Sequence, residues 1–295
     1  MSAADKIRVG VAGWSYPDWE GYVYDASVRD KLQFLAGYVD LIEINSTFYR
    51  PPAAKDAASW VRRTAMYPDF YFTAKLHQDI THGGMIEESM VRAVREGFKP
   101  LVEAGRLRHL LAQFRYDFAD CPPTRSRLSA IRDRFGDVAP LVFELRHISW
   151  QSEGALEFVA GLHGTVANLD YPTARNSFNL PECRVGESGY LRLHGRNAAA
   201  WFDKKAGRDQ VYNYNYSKKE LEGIRDRALS LVRTYRALTI VANNHYEGKE
   251  VANALQIKAL VAGQKVPVPP LLARRYPELA EISAPGGAPQ GELPL

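Results

Sequence analysis

Short apolar runs rich in β-branched residues recur along the chain, most of them separated by longer stretches with helical periodicity. The runs fall at residues 7–13, 41–45, 71–76, 107–114, 140–146, 165–170, 190–195 and 238–244. Near-continuous hydrophobicity within such a run marks a strand covered on both faces, the signature of a parallel sheet. Between them, Val28, Leu32, Leu35 and Val39 share one helical face behind Ser27, which reads as an N-cap. Further helical patterns cover roughly residues 53–66, 86–104, 124–135, 153–162, 218–236 and 249–262. Ser217 and Glu220 have the spacing of a capping box. Strand and helix in alternation build βαβ units, and eight of them predict closure into a single (β/α)8 barrel of the TIM type.

One unit breaks the rhythm. Pro172, Asn176, Asn179 and Pro181 crowd the stretch between Asp170 and Gly189, so an irregular loop is expected to replace the helix after the sixth strand. The barrel domain is expected over residues 1–265. A Pro- and Gly-rich C-terminal tail is expected over 266–295, flexible from Pro285 onward.

At 295 residues the chain fits one barrel, a fold that needs roughly 250. No apolar run approaches the roughly 20 residues of a membrane span, and the N-terminus lacks the layout of a signal peptide. Cys121 and Cys183 make neither a disulfide framework nor a metal-ligand spacing, and read as reduced thiols of a cytoplasmic protein. The net charge of +4 is spread over single residues and short clusters, so charge alone does not indicate nucleic acid.

The strand ends change the picture. In a TIM-type barrel catalytic groups sit at the C-terminal ends of the strands, and residues two apart share a face. Here those ends carry Glu43 and Asn45, Thr73 and Lys75, Gln113, Glu144 and Arg146, Asn168 and Asp170, Arg192 and His194, then Asn243, Asn244 and His245, with Arg196 just beyond strand seven. Buried charges are costly unless paired, so this ring is a neutralising network or a site for a polar ligand. Glu43 or Glu144 could serve as general acid or base, Lys75 as oxyanion stabiliser or Schiff-base former, and His194 as proton shuttle. Arg192, Arg196 and Asn244 lie on the strands that often build this fold's phosphate site. Gly248, ahead of the last helix, would let backbone N–H groups face an anion. Asn45, Gln113, Arg146, Asp170 and Asn243 are further candidates for substrate contact. The loop from Gly13 to Trp19 is aromatic; Trp14, Tyr16 and Tyr49 are candidates to stack on a ligand ring, whereas Trp19 reads as packing. A divalent metal on Glu43, Glu144, Asp170 and His194 is conceivable but not favoured, because no single element has ligand spacing and the cations already neutralise the carboxylates. No other cofactor is indicated.

These residues resemble a known family, the domain-of-unknown-function family seventy-two, or YecE-like family. The resemblance rests on Gly13-Trp14-Ser15-Tyr16, the run from Glu43 to Tyr49, Phe72-Thr73-Ala74-Lys75, Phe143-Glu144-Leu145-Arg146-His147 and Ser149-Trp150. It continues with the run from Leu191 to Arg196 and with Asn243-Asn244, and spans roughly residues 8–260. It implies a TIM-type barrel with a pocket and supplies no reaction. Two departures alter the pocket mouth: Gln113-Phe114-Arg115-Tyr116 stands where the family tends to have Gln-Leu-Pro-Pro, and Ile148 where a proline is usual. The expectation is an enzyme performing acid–base chemistry on a small anionic or sugar-like substrate. The alternatives are a nucleic-acid-binding or repair barrel using the same mouth, and a non-catalytic ligand-binding barrel.

Overall fold

The computed structural model describes residues 3–285. Nine strands form one sheet: β1 (Ile7–Ala12), β2 (Leu41–Ile44), β3 (Tyr71–Lys75), β4 (Leu107–Gln113), β5 (Leu141–Glu144), β6 (Thr165–Val166), β7 (Asn168–Asp170), β8 (Gly189–Leu193) and β9 (Leu238–Ala242). Every pairing is parallel, and β1 bonds to both β2 and β9. The sheet order begins at β6 and ends at β7, and these two are neighbours in the chain, separated only by Ala167. The sixth expected strand is therefore interrupted: its first part pairs with β5 and its second with β8, leaving a nearly closed TIM-type barrel.

Helices occupy the crossovers at Ala54–Arg63, Glu88–Glu103, Pro122–Phe135, Glu153–Gly161, Lys218–Leu231 and Lys249–Ala262. The first helix is shorter than its periodicity suggests. It runs Lys31–Ala36, capped by the Asp30 carboxylate, which accepts the Gln33 N–H at 2.8 Å, while Ser27 bonds to Asp25 instead. The Ser217–Glu220 capping box is present. Residues 171–188 run through turns and bends, with one bridge from Ser177 to His147. Two short helices without a clear sequence signal, Ala198–Phe202 and Arg208–Val211, lie between β8 and β9. Part of the stretch read as a tail packs onto the barrel: Val266, Val268, Leu272, Tyr276 and Leu279 are buried, and Val266 bridges Ser283. Residues 286–295 lie outside the described residues.

Alternation along the strands divides the core in two. Ile42, Phe72, Leu110, Phe143, Leu191 and Ile240 face the helices and join the large outer core. Leu41, Tyr71, Leu111, Val142, Tyr190 and Val241 fill the barrel interior. The interior is partly polar even at its lower layers, where Tyr71 bonds to Thr239 at 2.9 Å and Thr73 to Tyr190 at 2.8 Å.

Gly10 on β1 sits opposite Leu41 of β2, and a Cβ there would lie 2.0 Å from the Leu41 carbonyl oxygen. Neither strand has room to move inside the barrel. Gly10→Ala is expected to cost about 1–3 kcal/mol in urea unfolding, the usual penalty of overpacking. Gly154→Ala, in the helix Glu153–Gly161 with open space around it, should be neutral or stabilising.

Candidate active site

The upper interior layer is built by parity. Glu43 follows Leu41 on one face, Lys75 follows Thr73, Gln113 follows Leu111, Glu144 follows Val142, and Arg192 and His194 follow Tyr190. Arg192 is the hub, with no exposed surface. Its Nη2 donates to Glu43 Oε1 at 2.6 Å, and its Nη1 donates to Glu144 Oε2 and, at 3.1 Å, to Gln113 Oε1. The Tyr190 hydroxyl donates to the other Glu43 oxygen at 2.9 Å, so Thr73 must donate to Tyr190. Glu144 Oε1 accepts from Arg146 Nε at 2.8 Å and Nη2 at 2.5 Å, and lies 3.4 Å from His194 Nε2. Asn243 Nδ2 lies 3.1 Å from His194 Nδ1, and Arg192 Nη1 lies 3.4 Å from its Nε2.

Two carboxylates thus meet two guanidiniums, and their charges cancel. Burial alone would raise the Glu144 carboxyl; Arg192 and Arg146, with His194, override it and hold it well below the usual carboxylate range. Burial pushes His194 down to about 3, so its imidazole is neutral. Glu43, Glu144, Arg192 and His194 are all fully buried, and none lines the cavity above them.

That cavity, of about 220 Å³, is lined by Asn45, Phe48, Tyr49, Lys75, Gln113, Arg208, Tyr212, Asn243 and His245. The Lys75 amine lies 5.8 Å from the centre of the Phe48 ring and makes no salt bridge among the described residues. Burial, reinforced by Arg192, lowers it to about 8. Arg208 likewise has no carboxylate partner among the described residues, and its guanidinium lies 5.5 Å from the Tyr16 ring centre. The His245 ring stacks on Tyr16 at 4.6 Å, nearly parallel, and its carbonyl accepts the Trp19 indole N–H at 2.7 Å. Both His245 ring nitrogens are buried without partners, and burial lowers the ring to about 3.

Arg208 and Tyr212 arrive on the segment between β8 and β9, which covers the mouth. It touches the barrel chiefly through rings: Trp201 lies 5.8 Å from both His194 and Tyr171 and 5.6 Å from the Arg146 guanidinium, and Tyr212 lies 5.2 Å from His245. Asn197 ties the segment to itself through the carbonyls of Gln210 and Asn213.

Three expected site residues are turned away. Asp170 accepts both prongs of Arg196, at 2.9 and 2.7 Å, and the Tyr216 hydroxyl at 2.8 Å, forming a separate rim cluster with Glu220. The break at Ala167 sets the direction of β7, and Gly195, at φ +85°, bends Arg196 out of line. Asn244, one position after the inward Asn243, points the other way and donates to Tyr214 O and Asn253 Oδ1, both at 2.8 Å. Arg192, expected on the ligand, is sealed beneath the cavity, whereas Arg146 caps the Glu144 side under Trp201. Trp14, Tyr16, Asn45 and Tyr49 line an adjoining groove. His245 shares the parity of Asn243, a signal that could have placed it in the pocket. Phe48, Arg208 and Tyr212 carried no such signal. Among the described residues no group of three His, Cys, Asp or Glu could hold a metal ion, and no helix is long and apolar enough to cross a membrane.

Comparison with known proteins agrees with this architecture. The family model described as Protein of unknown function DUF72 matches residues 8–276. UPF0759 protein YunF of Bacillus subtilis is 26% identical over 271 residues, spanning 86% of this chain and 94% of that protein. Crystal structures of DUF72 family proteins from Thermotoga maritima and Enterococcus faecalis are 30% and 26% identical. Both superpose with a TM-score of 0.76 over 87% of this chain, covering 99% and 95% of their own.

Removing the hub takes the guanidinium partner from Glu43 and leaves Glu144 with Arg146 alone. Arg192→Met is expected to cost about 3–5 kcal/mol at neutral pH, measured by chemical denaturation. In the native protein the depressed Glu144 adds stability above the ordinary carboxylate value of 4.5, and that contribution is lost as pH falls through its lower folded value. In the variant Glu144 loses one of the cations that hold it low, so less of that pH-dependent stability is there to lose. The gap between the two proteins should therefore narrow on acidification; a gap that holds constant would mean Arg192 does not set these charges.

Proposed function

The chain belongs to the DUF72 family of proteins of unknown function, and we propose that it is an enzyme performing acid–base chemistry on a small anionic, sugar-like substrate in the cavity at the barrel mouth. The observation that carries this reading is unneutralised charge. Lys75 and Arg208 face one cavity, and neither has a carboxylate partner among the described residues, because Glu43 and Glu144 are committed to Arg192 and Arg146. A desolvated site with surplus cations favours an anion.

The same arrangement moves the proton-handling role expected of Glu43, Glu144 and His194. Closed off from the cavity, these groups serve as the floor that positions Lys75 and Gln113. Lys75, at about 8, sits close enough to neutrality to give up a proton and is charged enough below that to steady a developing oxyanion. Arg208 holds the anionic group. His245, neutral, offers one N–H donor and one acceptor to the substrate, and Asn45, Gln113 and Asn243 add amide groups. A nucleic-acid reading of the same mouth would favour cations strung along an open surface; here Lys75 and Arg208 line one hollow of about 220 Å³.

Calorimetric titration with a panel of hexose and pentose phosphates and hexuronates, followed by NMR for turnover, tests the proposal. Binding and turnover are both expected to weaken as pH rises through about 8, where Lys75 loses its charge. Lys75→Met should lose about tenfold or more in affinity, the equivalent of about 1.4 kcal/mol, and all turnover. A protein that binds no anion, or binds one indifferently to Lys75, refutes the reading. Tight binding without turnover makes it a non-catalytic binding barrel.

A further inference from the structure

A second hollow, of about 350 Å³, opens beside the first along the loop after β1. It is lined by Trp14, Ser15 and Tyr16 from that loop and by Ser46 and Tyr49 from the turn after β2. Asn45, Tyr49 and Arg208 line both hollows, so the two adjoin.

Their chemistry differs. The inner hollow carries Lys75 and His245, whereas the outer presents ring faces. Trp14 is braced edge-on by Trp60 at 5.6 Å, and Tyr49 is 61% exposed, with Phe48 packed edge-on at 5.2 Å. An exposed phenol beside a fixed indole leaves apolar surface uncovered. At the neck, Asn45 donates to Ala12 O at 3.1 Å and to the Tyr16 oxygen at 3.3 Å, while its own Oδ1 is buried and unpartnered. A buried acceptor left empty is costly unless a ligand donor fills it. Arg208 stands at the same neck without a carboxylate.

We propose that a single ligand spans both hollows, as an anionic sugar. Its ring lies against the Trp14–Tyr49 wall, a hydroxyl donates to Asn45 Oδ1, and its anionic substituent points inward between Arg208 and Lys75. This rests on the reading of the inner cavity given above. A sugar meets every demand at once: a C–H face for the aromatic wall, hydroxyl donors for the empty carboxamide oxygen, and a phosphate or carboxylate for the two cations. Trp14 and Tyr49 are then specificity residues, selecting the ring without touching the group that moves a proton.

The probes are inorganic phosphate, a panel of hexose and pentose phosphates and hexuronates, and phenyl phosphate, titrated into the full chain and into Tyr49→Ala, Trp14→Ala and Lys75→Met. At least one anionic sugar is expected to bind tenfold or more tighter than inorganic phosphate. Tyr49→Ala and Trp14→Ala should erase most of that excess, read as the ratio of sugar affinity to phosphate affinity in each protein. Tyr49 is exposed, so its variant remains informative even if Trp14→Ala unfolds. If phosphate responds to Lys75 but no sugar gains over it, or the gain survives Tyr49→Ala, the two-hollow proposal is overturned and the inner-cavity reading stands. If phenyl phosphate gains and no sugar does, the ring is an aryl group and the sugar assignment is overturned. If no anion binds at all, both fall.

Discussion

A guanidinium with no exposed surface has to be neutralised where it lies, and Arg192 lies inside the barrel. Its partners come from opposite walls: Glu43 on β2 and Glu144 on β5. Meeting that demand consumes the two acids that the mouth would otherwise have offered to a ligand. Arg146 takes up the remaining oxygen of Glu144, and Tyr190 that of Glu43. What is left facing the cavity is therefore decided underneath it. Lys75 makes no ion pair among the described residues, and the two acids beneath it, Glu43 and Glu144, are already engaged. A buried ion cluster of this kind adds little net stability, but it penalises any arrangement that leaves one member alone.

Much of this was readable from residue order. The strands declared themselves through apolar runs that agree with the structure to within a residue or two, as at 107–114 against Leu107–Gln113. Parity along those strands correctly gathered Glu43, Lys75, Gln113, Glu144, His194 and Asn243 at one end. What parity cannot express is depth. It sorts residues by face and leaves open which layer meets the ligand and which is sealed below, so floor and lining were read as one ring. Pairing was equally invisible, since the hub and Glu43 are 149 residues apart.

The other differences have local causes. The sixth strand is interrupted at Ala167, whose N–H bonds back to Phe143 O, and the direction of Asp170 changes with it. Helix periodicity from Val28 onward could not show that Asp30, a stronger cap than Ser27 in this setting, starts the helix three residues later. The covering segment between β8 and β9 has short helices of four and five residues, too brief for periodicity, and is held by ring contacts that no pattern encodes. Arg208 and Tyr212 entered the site by that route.

The cover and the floor consequently answer to different pressures. Residues of the floor are bound by mutual charge, so a change in one of them disturbs the fold before it reaches the ligand. Residues 197–213 meet the barrel through edge-on and tilted ring contacts and bring Arg208 and Tyr212 to the cavity. A substitution in that stretch changes what the cavity presents and leaves the buried charge cluster untouched, so the lining of the mouth and the charges beneath it can be altered independently of each other.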